Sequence, residues 1–177
     1  RLNVRTLSNL PSYFGLDFGY TNDETAFMHV KVDESTHTIY IMEEYAKHGM
    51  LNDDIARMIK QMGYSKEIIS ADAAEPKSIA EIKRDGIPRI RPAKKGKDSI
   101  IQGISFMQQY HLVVDDRCVK TIEELENYTY KKDRQTGEYT NEPVDAYNHE
   151  IDAIRYALNE INGMASPKGK ILKNIYI

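Results

Sequence analysis

Apolar and polar residues alternate through the first quarter of the chain and then recur at helical spacing, a change of period that separates strands from helices. Tyr13 to Tyr20 and Thr25 to Val32 read as strands on either side of the turn-forming Thr21-Asn22-Asp23-Glu24, and His37 to Tyr45 alternates again with β-branched residues. Together they predict an antiparallel three-strand meander. Ile55, Met58, Ile59 and Met62 then fall on one helical face, with Asn52 as the cap and Gly63 as the stop, so a crossover helix follows. Glu67 to Asp72 is a short apolar run ending in a carboxylate. Pro76 suits the first turn of a helix that ends at Gly86. Ile87 to Pro92 predicts a strand, Asp98 to Tyr110 a helix and Leu112 to Val114 a brief extended piece, continuing the alternation of strand and helix.

Lys131 to Tyr139 is polar around a central Gly137 and flanked by Tyr128 and Tyr130, the pattern of an exposed hairpin with a basic tip. The last strong element is a helix from about Val144 to Ile161, whose apolar stripe is Tyr147, Ile151, Ile154, Leu158 and Ile161. Gly163, Ser166, Pro167 and Gly169 break it, and Ile171 to Ile177 form a short apolar tail that could dock elsewhere.

Composition narrows the class. The 177 residues are 41% hydrophobic and 29% charged, which excludes a disordered polymer, a collagen or a coiled coil. No apolar run approaches the roughly 18 to 20 residues of a membrane-spanning helix, and no signal pattern opens the chain. The single Cys118 can form neither an intramolecular disulfide nor a multi-cysteine zinc site, in keeping with a reducing compartment. Net charge is −3, so nucleic-acid binding would have to rest on local patches. Lys94, Lys95 and Lys97 form one such cluster and Lys131, Lys132 and Arg134 another; each also reads as an ordinary solvated face.

If the chain after the meander crosses over to lay its next strand beside the first, one mixed sheet results. Asp17 lies in the first strand and Asp72 ends the fourth, so that pairing brings two carboxylates side by side. Adjacent buried carboxylates repel and lose solvation, which a divalent cation offsets by taking their oxygens as ligands. Taken singly, Asp17 equally suits a turn at Asp17-Phe18-Gly19 and Asp72 a helix cap. Asp145, His149, Asp152 and Tyr156 follow at spacings of four, three and four and share one face of the terminal helix. That face lies nearly opposite the apolar stripe and also reads as solvated, yet Ala146, Ala153 and Ala157 border it and would let the helix approach a sheet closely. Arg155 is placed to pair with a neighbouring carboxylate. Glu75 stands in reserve near Asp72, while Asp23, Glu24, Asp53 and Asp54 read as turn and cap residues.

Three segments in order, Gly15-Leu16-Asp17-Phe18-Gly19-Tyr20 with Asn22-Asp23, Ser70-Ala71-Asp72-Ala73-Ala74-Glu75-Pro76-Lys77-Ser78, and His149-Glu150-Ile151-Asp152-Ala153-Ile154-Arg155-Tyr156-Ala157, resemble the nuclease domain of large terminase subunits from tailed bacteriophages, in the SPP1-like subgroup. The resemblance spans nearly the whole chain. It implies an α/β, ribonuclease H-like mixed sheet flanked by helices, and metal-dependent endonucleolytic cutting of concatemeric viral DNA at initiation and termination of packaging. Carried over by position, Asp17, Asp72 and Asp152 match the metal-binding triad, with His149 as a further ligand or a group behind one. The segment from Lys131 to Asn141 resembles the family's β-hairpin beside the active site, thought to gate DNA access. Double-stranded DNA, an ATPase domain in the full-length chain, the terminase small subunit and the portal protein are the implied partners, in the host cell cytoplasm. No Gly-x-x-x-x-Gly-Lys-Ser/Thr occurs here. The expectation is therefore a linker remnant at 1–12, from a missing N-terminal ATPase domain, a nuclease domain at 13–162 with a hairpin at 128–141, and a C-terminal tail at 163–177.

The residue types fit that chemistry. Two divalent ions about 4 Å apart can activate a water, neutralise a phosphodiester and stabilise its leaving oxygen. Oxygen-rich ligation suits Mg²⁺ or Mn²⁺, and an imidazole at His149 favours Mn²⁺. Asp17 would bridge both ions, with Asp72 and Asp152 each completing one. Asp-Phe-Gly also resembles the first phosphate hairpin of sugar kinases and actin-like ATPases, but the chain has room for one of their two domains. A Holliday-junction resolvase or transposase-like core shares the carboxylate logic. A non-catalytic DNA or portal docking module would not need the three aspartates to converge.

Overall fold

The computed structural model describes residues 2–3, 5–19, 23–94, 96–144 and 146–162; Lys95, Asp145, the 20–22 part of the first turn and the 163–177 tail lie outside them. The elements are β1 (Ser12–Asp17), β2 (Glu24–Asp33), β3 (Thr38–His48), α1 (Asn52–Gln61), β4 (Ile69–Ala71), α2 (Pro76–Arg84), β5 (Ile90–Pro92), α3 (Ser99–Met107), β6 (His111–Val114), α4 (Val119–Asn127), β7 (Tyr130–Lys132), β8 (Tyr139–Pro143) and α5 (His149–Asn162).

Six strands form one mixed sheet in the order β5-β4-β1-β2-β3-β6. The meander is antiparallel, with Leu16 opposite Phe27 and Phe27 opposite Tyr45. The crossover after it lays β4 parallel to β1, with Leu16 beside Ala71, and β5 and β6 add parallel strands at the two edges. β2 is buried from Thr25 to Val32 because both faces of the sheet are covered. Its Phe27 joins Phe14, Leu16, Ile55, Ile59, Ile69 and Ile82 under α1 and α2. Ala26, Met28, Val30 and Val32, on the other face, join Phe106, Ala153, Ile154 and Leu158 under α3 and α5. The two core layers follow from the period-2 alternation of a strand with a hydrophobic layer on each side.

Three local expectations change. Asn52 does not cap α1: it sits in the first turn, and its amide donates to Glu81 Oε2 at 2.6 Å, tying α1 to α2, while Asp54 accepts the Leu51 N–H. α5 begins at His149, because Tyr147 takes a positive φ of 54° that an α-helix cannot contain. Tyr147 is consequently half exposed and leaves the apolar stripe, which keeps Ile151, Ile154 and Leu158 buried. α4 has no counterpart among the predicted elements. It is started from outside, by the Glu44 carboxylate of β3, which accepts the N–H groups of Lys120 at 2.9 Å and Thr121 at 2.8 Å together with the Thr121 hydroxyl at 2.8 Å. The predicted hairpin forms, as a two-stranded sheet of its own.

Candidate active site

The parallel register of β1 and β4, with Leu16 beside Ala71, puts the residue after each of these, a carboxylate in both, at the same end of the sheet. Asp17 is the last residue of β1; Asp72 follows β4 directly, and its N–H donates to the Leu16 carbonyl at 3.0 Å. The expected neighbouring of these two carboxylates is therefore met. Beyond Asp17 the chain turns sharply at Gly19, where an added Cβ would stand 2.1 Å from the Glu24 backbone. The Gly19 N–H is held by the Thr25 hydroxyl at 3.2 Å.

α5 crosses this end of the sheet in very close contact. A Cβ on Gly15 would lie 1.7 Å from the Ala153 carbonyl oxygen and 2.8 Å from the Ala157 nitrogen, so the small residues predicted to allow a close approach meet a glycine of the sheet. That approach carries the first turn of α5 to the end of β1. The His149 Nδ1–H donates to Asp17 Oδ2 at 3.1 Å, and Asp23 Oδ1 lies 3.9 Å from His149 Nε2. Asp152, one turn on, is held by Arg155 through Nε at 3.1 Å and Nη2 at 2.7 Å, both on Oδ1. Arg155 is buried, reaches the Ser99 carbonyl of α3 at 3.4 Å, and lies along Gly103, where a side chain would press on its methylenes.

Burial sets the charge states. Asp17 is 8% exposed, and loss of solvation pushes its carboxyl up to about 6. The His149 hydrogen bond opposes that rise, while the charges of Asp152 and Asp72 add to it. The same hydrogen bond, against the cost of burial, raises His149 to about 9. Asp17 thus rises despite an ion-pair partner, because desolvation outweighs the single imidazolium. Asp152 is also raised by burial, with Arg155 opposing. Burial first, and then the charges of Asp17, Asp152 and Asp72, raise the Tyr156 phenol.

The predicted residues are thus assembled unequally. Asp17 and His149 touch; Asp72 and Asp152 lie within electrostatic range of Asp17 and of each other. Among the described residues, no three His, Cys, Asp or Glu side chains draw close enough to enclose a single ion. Each has its own neighbour: Asp152 leans on Arg155, and Asp72 Oδ1 accepts the Ala74 N–H at 3.0 Å. As a donor set, the buried carboxyls of Asp17 and Asp152, both raised by desolvation and by neighbouring negative charge, fit a hard divalent cation, which would relieve both costs. Glu75 is the residue before α2, which begins at Pro76.

Lys94 and Lys97 are exposed on the segment after β5, and the Lys94 backbone is clamped by the Asn159 amide at 2.7 and 3.1 Å. Lys131, Lys132 and Arg134 lie on the hairpin, where Lys131 pairs with Glu142 at 3.4 Å and Lys132 sits 4.8 Å over the Tyr139 ring. The hairpin's Asp133, Glu138 and Glu142 balance its three cations, so its tip is less basic than the run Lys131-Lys132 suggests.

Two buried carboxyl groups behind the site went unread in the sequence. Glu124 of α4 and Glu150 of α5 are 5% and 2% exposed. Glu124 accepts the N–H groups of His149 at 2.7 Å and Ile151 at 2.9 Å. Burial and the adjacent Glu150 raise the Glu124 carboxyl. The missed signal was Val119, Ile122 and Leu125 at helical spacing, which marks a helix around Glu124 but does not say that its carboxyl is buried.

Residues 17–160 match the family described as the terminase RNase H-like domain. The chain is similar to the terminase large subunit of Bacillus phage SPP1, 36% identical over 146 residues that cover 81% of this chain and 34% of that protein, so it spans about a third of that relative's length. It is also similar to the crystal structure of the SPP1 large terminase nuclease domain with bound Mn, at 32% identity and a TM-score of 0.83, covering 90% of this chain and 92% of that one. The large terminase nuclease of thermophilic phage G20c with bound magnesium shares the fold, at 18% identity and a TM-score of 0.59, with 84% and 80% of the two chains covered.

Proposed function

This chain belongs to the terminase RNase H-like family as the nuclease domain of a large terminase subunit, and on that footing we propose that it cuts concatemeric viral DNA, at initiation and termination of genome packaging, by metal-dependent phosphodiester hydrolysis. The observation that carries the reading is the meeting of Asp17 and Asp72 at the ends of adjacent parallel strands, with His149 and Asp152 of α5 facing them. Asp17, Asp72 and Asp152 would hold two ions, Mg²⁺ or Mn²⁺, both of which occur in the related nuclease structures. When bound, such ions supply charge neutralisation at the phosphate and an activated water. His149 orients Asp17 through its Nδ1–H, and Arg155 occupies one oxygen of Asp152, leaving Oδ2 for a ligand role. Glycines 15 and 19 let α5 and the turn after β1 close in on either side of Asp17. Lys94, Lys95, Lys97, Lys131, Lys132 and Arg134 would hold phosphates without reading sequence. In the full-length protein the domain would work with an ATPase domain, the small subunit and the portal, in the host cell cytoplasm.

The test is nicking of supercoiled plasmid under Mn²⁺, Mg²⁺ or EDTA. Wild type is expected to nick and linearise with metal and not in EDTA. Asp72→Asn should lose about a hundredfold or more, the equivalent of several kcal/mol of transition-state charge stabilisation, while melting as the wild type does. Undiminished cutting by Asp72→Asn would remove the carboxylate from the mechanism. No cutting by wild type together with no divalent-ion binding would leave a docking module.

A further inference from the structure

The first turn of α5 carries His149 and Asp152, yet the path of the chain does little to fix where that turn begins. It is reached from the separate β7–β8 hairpin, through the left-handed Tyr147. The first-turn amides are instead held from α4. Glu124 Oε1 accepts the N–H of His149 itself and Oε2 accepts that of Ile151, the residue before Asp152, so one buried carboxyl group spans the backbone between the two side chains that face Asp17. Glu124 is in turn held in place, because α4 starts on the Glu44 carboxylate of β3. A continuous series of carboxylate-to-helix-start contacts thus runs from the sheet through α4 to the first turn of α5, each satisfying amides that a helix start leaves open.

We propose that Glu124 is a positioning residue of the nuclease site: it sets the start of α5 and thereby the placing of His149 and Asp152 opposite Asp17. The inference rests on the reading of those residues as ion-side groups. Outer partners that orient ligands typically change metal affinity by about 10- to 100-fold when removed. A displacement on the order of 1 Å can cost about a hundredfold in rate. A structural helix cap would instead change stability alone.

The test is Mn²⁺ titration by calorimetry on the 177-residue chain, with thermal melts alongside, for wild type, Glu124→Gln, Glu124→Ala, Asp72→Asn and Ile82→Ala. Ile82 belongs to the core under α1 and α2, on the other side of the sheet, and serves as a destabilised control. Glu124→Ala should bind Mn²⁺ about tenfold or more weakly. Glu124→Gln, whose remaining carbonyl can accept one of the two N–H groups, should fall between it and wild type, and Ile82→Ala should bind normally despite a lower Tm. In plasmid nicking, the Glu124→Gln defect should shrink as Mn²⁺ is raised. Wild-type affinity in both Glu124 variants, or in Glu124→Gln when Glu124→Ala does not fold, overturns the proposal, as does an equal loss in Ile82→Ala. A wild type that binds no more Mn²⁺ than Asp72→Asn overturns the ion-site reading itself, and this inference with it.

Discussion

Gly15 shows how much of the site rests on a missing methyl group. Its neighbours are the Ala153 carbonyl and the Ala157 nitrogen, both backbone atoms of α5, so no side-chain rotation can make room for a Cβ. Gly15→Ala should therefore push α5 off the sheet and destabilise the fold by about 3 kcal/mol, read by denaturant unfolding. It should also weaken metal-dependent cutting, since His149 and Asp152 ride on that helix. A variant as stable as wild type would mean that α5 does not sit this close. Asp17 and Asp72 were legible as candidates from residue type and element order, while His149 and Asp152, on a face that also reads as solvated, were singled out by the resemblance to terminase nuclease domains. The partners that give them their charge states were less so: the pairing of Arg155 was anticipated, while Glu124 and Glu150 were not, since burial of a glutamate is decided by what packs over it.

The hairpin and α4 show opposite relations between pattern and structure. The hairpin's glycine turn and flanking tyrosines are local signals, and the element forms where they predict it. Its ends already meet, the Val144 N–H donating to the Thr129 carbonyl at 2.9 Å. Replacing residues 130–143 by a short Gly-Ser turn should therefore cost less than about 1 kcal/mol, with a thermal melt close to wild type, while changing plasmid nicking if the hairpin governs access of DNA. A large drop in Tm would make the hairpin a structural strut instead. α4 is begun by Glu44, 76 residues away from Lys120 in the chain, a contact outside any window of its own sequence, although Val119, Ile122 and Leu125 do recur there at helical spacing. The early start predicted for α5 failed for a similar reason: helical spacing of Tyr147 says nothing about the left-handed backbone there.

Across the whole molecule, the strands are joined by a sheet whose far edge also holds the N-terminal stretch. Asp115, just beyond β6 and buried, accepts hydrogen bonds from Arg117 Nε at 2.7 Å and Nη2 at 3.2 Å, from the Arg117 N–H at 3.1 Å and from the Leu2 N–H at 2.9 Å. The Arg117 guanidinium, ahead of the backbone donors, holds this carboxyl well below the usual carboxylate range. A carboxylate whose pKa is depressed by folding contributes stability above its unfolded pKa of about 3.9, and that contribution is lost as pH falls towards the folded value. Stability measured by denaturant should thus drop below about pH 4, and the drop should be shallower in Asp115→Asn, which is less stable at neutral pH from the outset. Parallel acid limbs in the two proteins would show that Asp115 does not titrate in this way.

The sequence by itself determined the meander, the helices α1, α2, α3 and α5 and the hairpin, because these follow from side-chain period and turn residues within short windows, whereas the crossover beside β1 entered only as a condition and the set of Asp17, Asp72, Asp152 and His149 came from the resemblance to terminase nuclease domains. Only the tertiary structure decided how tightly α5 approaches the sheet, which carboxyl groups are desolvated enough to have raised pKa values, and that Glu124 and Glu44 start helices remote from them in the chain. Those outcomes depend on burial and on hydrogen bonds between distant segments, and neither quantity exists until the chain has packed.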